Sequence, residues 1–290
     1  MLTLPINMST QGILLLAVIA NTIVLLVILF LVRLSMILSR QRPPRTRPQA
    51  STEHPTHLLV VLGSGGHTAE MINILSSIPN LNRLFTHRTY VVSSGDSFSA
   101  QRAHDFENQL SSRDKNPSPS SSSSSSSYTI ATIYRARKIH QPLLTTPFSS
   151  LKCLKDSLQV LRQHDLYPDL ILTNGPGTGV IVVLASIILL FFGLHGPVVS
   201  HASSVSASAS PPQSSHPTGR MRSIYIESWA RVRTLSLSGR ILKPLVDRFL
   251  VQWPQLAVSE DDGVGVQLDS TSPKPEFVPA KAEFIGPLVS

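Results

Sequence analysis

Two short stretches and one carboxylate are the residues of this chain whose types and spacing could do chemistry. The first stretch is Gly63-Ser64-Gly65-Gly66-His67-Thr68, with three glycines in four residues ahead of an imidazole and a hydroxyl. Glycines let the backbone turn sharply and come close to a ligand, and the free N–H groups of a helix start favour negative charge such as phosphate. The stretch reads as an anion cradle, or else as a tight turn needed only for strand-to-helix packing. The second is Asn174-Gly175-Pro176-Gly177-Thr178-Gly179, again rich in glycine and again ahead of an apolar run. The carboxylate is Glu227, within Glu227-Ser228-Trp229-Ala230-Arg231: a candidate acid/base or hydroxyl-binding group, or a local partner of Arg231 or Arg233.

The elements that must hold these residues put them on one edge. Residues 57–62 (HLLVVL) predict a buried strand running into the first glycine turn and a helix to about residue 77, with Ile72 and Leu75 on its buried face. Residues 88–94 and 128–134 are rich in β-branched and aromatic side chains and predict two more strands; between them Gly95-Asp96-Ser97 caps a polar helix over 98–110. Leu151, Leu154, Leu158 and Leu161 recur at helical spacing, which predicts a helix over 147–164 with those leucines in the core. Residues 168–173 predict the strand that feeds the second glycine turn. The apolar helix after it, over 180–194, falls short of the ~20 residues a membrane span takes and reads as buried against the sheet. Short strands follow at 197–200, 222–227 and 248–252, with a helix over 236–245, a polar loop over 259–281 and an apolar C-terminal segment, 283–289. Alternating strands and helices predict a Rossmann-like parallel sheet with helices on both faces, whose ligands collect at the C-terminal ends of the strands. Both glycine turns and Glu227 fall on that rim.

The same residues exclude the common nucleotide sites. A dinucleotide fingerprint would put its third glycine at position 68, which is Thr68, and an acidic residue at the end of the next strand, where Val92 and Ser93 stand. A P-loop would end in Gly-Lys-Ser/Thr, and the turn has no lysine. The one cysteine, Cys153, excludes an intramolecular disulfide and supplies no metal cluster, which fits a reducing, cytosol-facing environment.

Ahead of this domain, residues 12–34 are apolar apart from Asn21, Thr22 and Arg33 and predict a transmembrane helix. No Lys or Arg precedes the run, while Arg33, Arg40, Arg42, Arg45 and Arg47 crowd its far end; the positive-inside rule then makes residues 1–11 a lumenal tail and the rest cytosolic. Residues 35–55 form a basic Arg/Pro linker, and 56–290 the folded domain, interrupted by serine-rich inserts at 114–127 and 202–219 that are expected to be disordered. The net charge of +8 and pI near 10.0 fit an anionic membrane surface better than nucleic acid, because the arginines abut the apolar run.

Taken in order, the N-terminal span, LGSGGHTAEM, NGPGTG, YIESWARV, LSGRILKPLVDRFLVQWPQL and the terminal FIGPLV resemble the membrane-anchoring subunits of the eukaryotic two-subunit UDP-N-acetylglucosamine transferase of the dolichol pathway. The resemblance implies a split GT-B glycosyltransferase, with the acceptor half here and the UDP-GlcNAc-binding half in a separate soluble catalytic subunit. Together the two would add the second GlcNAc to GlcNAc-diphosphodolichol on the cytosolic face of the endoplasmic reticulum, including the nuclear envelope, inverting the anomeric carbon. It implies acceptor and diphosphate contacts at Gly63, Ser64, Gly65, Gly66, His67, Thr68, Asn174, Gly175, Gly177, Thr178 and Arg231. His67 would position or protonate the acceptor, Glu227 is the second candidate for catalysis, and Phe284, Ile285, Pro287, Leu288 and Val289 would bind the soluble subunit. No cofactor and no metal is expected on this chain; the complex takes UDP-GlcNAc as donor. The sequence departs from the usual family turn at Gly179, where a cysteine is common. About 200 foldable residues make one Rossmann-like domain, where a GT-B enzyme needs two. Two other readings stay open: a recruitment scaffold whose glycine turns are structural remnants, and an autonomous membrane-anchored nucleotide-binding enzyme.

Overall fold

Seven short runs rich in β-branched and aromatic residues become the strands β1 (His57–Val61), β2 (His87–Ser93), β3 (Ser127–Ile133), β4 (Leu170–Asn174), β5 (Arg222–Ile226), β6 (Arg248–Val251) and β7 (Glu283–Phe284). In the computed structural model they form one sheet of order β3-β2-β1-β4-β5-β6-β7 with every neighbouring pair parallel. The Rossmann-like sheet read from the sequence is therefore present, with its direction of growth reversing between β1 and β4. The structure describes residues 10–38, 56–113, 127–137, 141–163, 167–175, 177–194, 221–257 and 282–286. The strand expected at 197–200, the loop at 259–281 and the serine-rich inserts up to residue 126 lie outside them.

The helices are α1 (Thr10–Leu38), α2 (Gly66–Ser77), α3 (Leu81–Leu84), α4 (Ser97–Arg113), α5 (Thr146–Leu161), α6 (Gly177–Phe191) and α7 (Leu237–Leu242). Successive strand residues point to opposite faces, so the sheet builds two cores. On one face Leu58, Val60, Leu62, Tyr90 and Val92 pack with Met71, Ile74 and Leu75 of α2 and Phe106 of α4. On the other, Tyr225, Phe249 and Val251 pack with Val180 and Val183 of α6 and with Leu242 and Val246. A sheet covered on both faces needs continuous apolar strands, and all five residues of β1 are buried.

The face of α2 holds the expected Leu75 and Ile72 against the core, whereas that of α5 departs in part from the sequence expectation. On α2 the buried line runs through Thr68, Glu70, Met71, Ile74 and Leu75, with Ile72 on its flank. On α5 the buried line is Ser149, Cys153, Ser157 and Leu161, while Leu151 is exposed. Of the other expected leucines, Leu161 is buried and Leu154 and Leu158 are half-buried. The α4 face is locked to β2 by a buried ion pair. The Arg88 guanidinium donates from Nε and Nη2 to the two oxygens of Glu107 at 2.7 Å each, and Tyr90 Oη donates to Glu107 Oε1 at 2.6 Å.

The chain divides into two units, Met1–Arg42 and Pro43–Ser290. In the first, α1 runs unbroken for 29 residues, a length of about 43 Å and enough by length and composition to cross a membrane. It extends past the expected end at residue 34 to Leu38. In the second unit α6 is apolar but only 15 residues long, and it is packed into the domain core as expected.

Candidate functional site

The parallel strands deliver their C-terminal ends to one rim, and the turns that leave them meet there. After β1, Gly65 takes φ +64°, a backbone conformation that disfavours a side chain, and caps α2 without any side-chain hydrogen bond. Ser64, Gly65 and Gly66 are exposed, and a Cβ at Gly66 would meet nothing within 4 Å. An uncapped, exposed helix start with this geometry has the N–H groups and the dipole an anion prefers.

The second turn closes on the first. Gly175, at φ +96°, lies against the imidazole of His67 so closely that a Cβ there would fall 2.8 Å from Cγ and 2.9 Å from Nδ1. The Asn174 amide donates to the His67 carbonyl at 2.9 Å, while Asn174 Oδ1 is buried with no hydrogen-bond partner among the described residues. His67 is about one third exposed, at 35%. The two glycine turns therefore form one site with His67 at its centre.

Beneath the rim the remaining hydroxyls hold the turns in place. Thr68 is fully buried; its hydroxyl donates to the Gly63 carbonyl and contacts Ser99 Oγ at 2.7 Å. Ser99 in turn donates its backbone N–H to Asp96 Oδ1 at 3.1 Å, which caps α4. Thr178, also buried, meets Ser93 Oγ at 3.1 Å. Gly63 is buried as well, whereas Gly177 is exposed at the start of α6. These threonines reach a ligand only through the backbone they hold.

Glu227 is 1% exposed, and its carboxylate serves the turn into α7. Oε2 accepts from the Ser236 N–H and hydroxyl at 3.1 Å each, and Oε1 from the Ser228 N–H at 3.3 Å. A Cβ at Gly239 would sit 2.1 Å from Oε2, so the glycine is what lets the carboxylate lie there. Among the described residues Glu227 makes no ion pair with Arg231 or Arg233, and both arginines are exposed. The Arg231 N–H donates to the Ser228 carbonyl at 2.9 Å. At the far edge of the sheet Phe284 and Ile285 are exposed and the Ile285 N–H donates to the Val251 carbonyl at 3.2 Å; Pro287, Leu288 and Val289 lie outside the described residues.

One residue of the site was not singled out from the sequence. Glu70, on α2, accepts from the Trp229 N–H at 2.7 Å and from the Gln252 amide at 2.6 Å through Oε1. Its Oε2 lies 3.4 Å from the Asn174 amide and 3.8 Å from His67 Nδ1. Burial alone would raise the Glu70 carboxyl, but His67, the Trp229 N–H, Gln252 and Ser228 together hold it below its ordinary value. Trp229 itself packs on Trp253 with ring centroids 4.5 Å apart, and Trp253 Nε1 donates to the Trp229 carbonyl at 2.8 Å. Among the described residues no group of three or more His, Cys, Asp or Glu side chains could hold a metal ion.

Residues 58–264 match the family model described as "Oligosaccharide biosynthesis protein Alg14 like". The chain is 44% identical over 197 residues to the UDP-N-acetylglucosamine transferase subunit alg14 of Aspergillus fumigatus, covering 60% of this chain and 86% of that one. It is 37% identical over 240 residues to the Schizosaccharomyces pombe subunit of the same name, covering 82% and 93%. To the Homo sapiens subunit ALG14 it is 34% identical over 199 residues, covering 69% and 76%.

Proposed function

The chain belongs to the Alg14 family of UDP-N-acetylglucosamine transferase subunits, and on that premise we propose that it is the membrane-anchored, acceptor-side half of such a transferase. The observation that carries the reading is the meeting of two glycine turns at His67, beside an exposed and uncapped helix start. Ser64, Gly65, Gly66 and Gly177 offer backbone N–H groups to the diphosphate of a lipid-linked GlcNAc acceptor, and His67 positions or protonates that acceptor. Gly63, Thr68, Asn174, Gly175 and Thr178 hold these groups in place. Exposed Arg231 supplies a further cation at the rim. Glu227 orders the turn into α7, and this argues for a supporting role instead of proton transfer from the acceptor hydroxyl.

The donor, UDP-GlcNAc, is bound by a soluble catalytic subunit that this chain recruits, in part through Phe284 of the edge strand and Ile285 just beyond it. The apolar helix α1 anchors the chain in the endoplasmic reticulum membrane with the domain on the cytosolic side, where it adds the second GlcNAc to GlcNAc-diphosphodolichol. No cofactor is needed on this chain.

The test uses the full chain purified in detergent, with labelled UDP-GlcNAc and a GlcNAc-diphospho-lipid acceptor. It should transfer nothing alone and transfer efficiently once the soluble partner is added. Robust transfer by the isolated chain would sink the split-enzyme reading. A His67→Ala chain that still co-purifies with its partner and transfers at the wild-type rate would favour a scaffold role.

A further inference from the structure

We infer that Glu70 is a positioning residue of this site: its carboxylate seats the His67 imidazole and ties it to the ends of β4, β5 and β6. The inference rests on the acceptor-side reading above and adds a residue that reading does not use.

Glu70 follows His67 by three residues on α2, so the two side chains share a face of the helix. Oε2 stands 3.8 Å from His67 Nδ1, a nitrogen that is buried with no hydrogen-bond partner among the described residues. That separation is longer than a hydrogen bond, and contacts of this kind in an unliganded site often tighten when the ligand binds. The division of labour between the two oxygens is informative. Oε1 takes both short bonds, from the Trp229 N–H at 2.7 Å and the Gln252 amide at 2.6 Å. Oε2 has the long contact from the Asn174 amide at 3.4 Å and faces His67, and the Ser228 side chain adds to the groups around the carboxylate. Both oxygens therefore meet strand ends, Oε1 tightly after β5 and β6 and Oε2 loosely at the end of β4, and the looser one is also the one that faces His67. Here one oxygen is anchored and the other is held toward the imidazole.

The same cluster grips His67 from three sides. Asn174 holds its carbonyl, Gly175 provides the seat for its ring, and Glu70 faces Nδ1. Nε2 is then the ring nitrogen left for the acceptor. Glu70 is itself only 8% exposed, so it acts through His67 and not on the ligand. Gln252 also donates to the Glu227 carbonyl at 3.0 Å, which joins the β5 and β6 ends into one support behind the carboxylate.

A double-mutant cycle on the reconstituted complex tests this, with kcat and acceptor KM measured for wild type, E70Q, H67A and H67A/E70Q. Misplacing a catalytic group by about 1 Å costs on the order of 10²-fold in rate. E70Q should therefore lower kcat by about 10²-fold with little change in acceptor KM. In the H67A background the same substitution should cost almost nothing further, because the group it positions is gone. An equal loss in both backgrounds, or a raised KM at unchanged kcat, overturns the inference while leaving the acceptor-side reading intact. H67A alone at the wild-type rate overturns both. If E70Q does not fold, E70D is carried through the same cycle with the same two outcomes. Failure of both variants to fold overturns the inference, since the carboxylate would then be holding the domain and not the imidazole.

Discussion

Gly175→Ala bears directly on the geometry of the site, because two separate costs can be worked out for it. The first is backbone strain: at φ +96° a side-chain-bearing residue is disfavoured, by about 1–3 kcal/mol. The second is steric. A Cβ would sit 2.8, 2.9 and 3.1 Å from Cγ, Nδ1 and Cδ2 of His67, broadside to a rigid ring. Because the ring is 35% exposed it can swing toward solvent, so the clash is relieved by losing the position of His67 and not by unfolding. Stability should then fall by the strain alone, lowering Tm by roughly 2–4 °C per kcal/mol in a domain of this size. The rate should fall by about 10²-fold or more, the range for losing a placed general acid or base. Thermal melts of the purified chain and transfer assays on the reconstituted complex read the two effects separately. A control is Gly66→Ala, where a Cβ meets nothing within 4 Å; it should melt like wild type and raise the acceptor KM by crowding the anion cradle. Gly175→Ala with the expected Tm loss and an unchanged kcat would refute the idea that Gly175 seats a working imidazole.

Three further outcomes follow from the buried groups. Glu107→Ala leaves the buried Arg88 guanidinium without its carboxylate and should destabilise the domain by about 3–5 kcal/mol, read as a fall in urea midpoint or in the yield of folded protein. Cys153 is fully buried and its thiol is pushed up to about 11 by burial; a thiol reagent at pH 8 should leave the native chain unlabelled and label it promptly in urea. Glu70 is held below its ordinary value of 4.5, so the folded state binds its proton less readily than the unfolded chain. Its contribution to stability is complete above about pH 4.5 and is lost as the pH falls through the lowered folded value; Glu70→Gln should flatten that part of the acid unfolding curve.

The sheet was legible because its signal is local. Runs such as residues 57–62 and 88–94 announce strands, and glycine clusters after two of them announce the turns. On α5 the leucine spacing finds the buried Leu161 and the half-buried Leu154 and Leu158 but also points to Leu151, which is exposed, and it gives no sign of the buried Ser149, Cys153 and Ser157, because small side chains carry little hydrophobic signal. β7 pairs through only two residues, too few for a pattern to show. Glu70 was missed for a different reason. A glutamate in the first turns of an amphipathic helix normally faces water, and what buries this one are Trp229 and Gln252, 159 and 182 residues further along the chain. Glu227 was seen, but its partner Ser236 and the space left by Gly239 belong to a later turn whose path the sequence did not specify. The Thr173 hydroxyl gives Gly179 a local reason too, since a Cβ there would lie 2.2 Å from Oγ1.

The division of substrates between two subunits can be measured on this chain by itself. The purified full-length chain in detergent is titrated calorimetrically with a short-chain GlcNAc-diphospho-lipid and, separately, with UDP-GlcNAc. The acceptor should bind saturably, more weakly to Gly175→Ala, and UDP-GlcNAc should give no saturable heat until the soluble partner is added. Saturable binding of UDP-GlcNAc to the chain alone, with none of the lipid diphosphate, would contradict the assignment of the acceptor to the glycine turns.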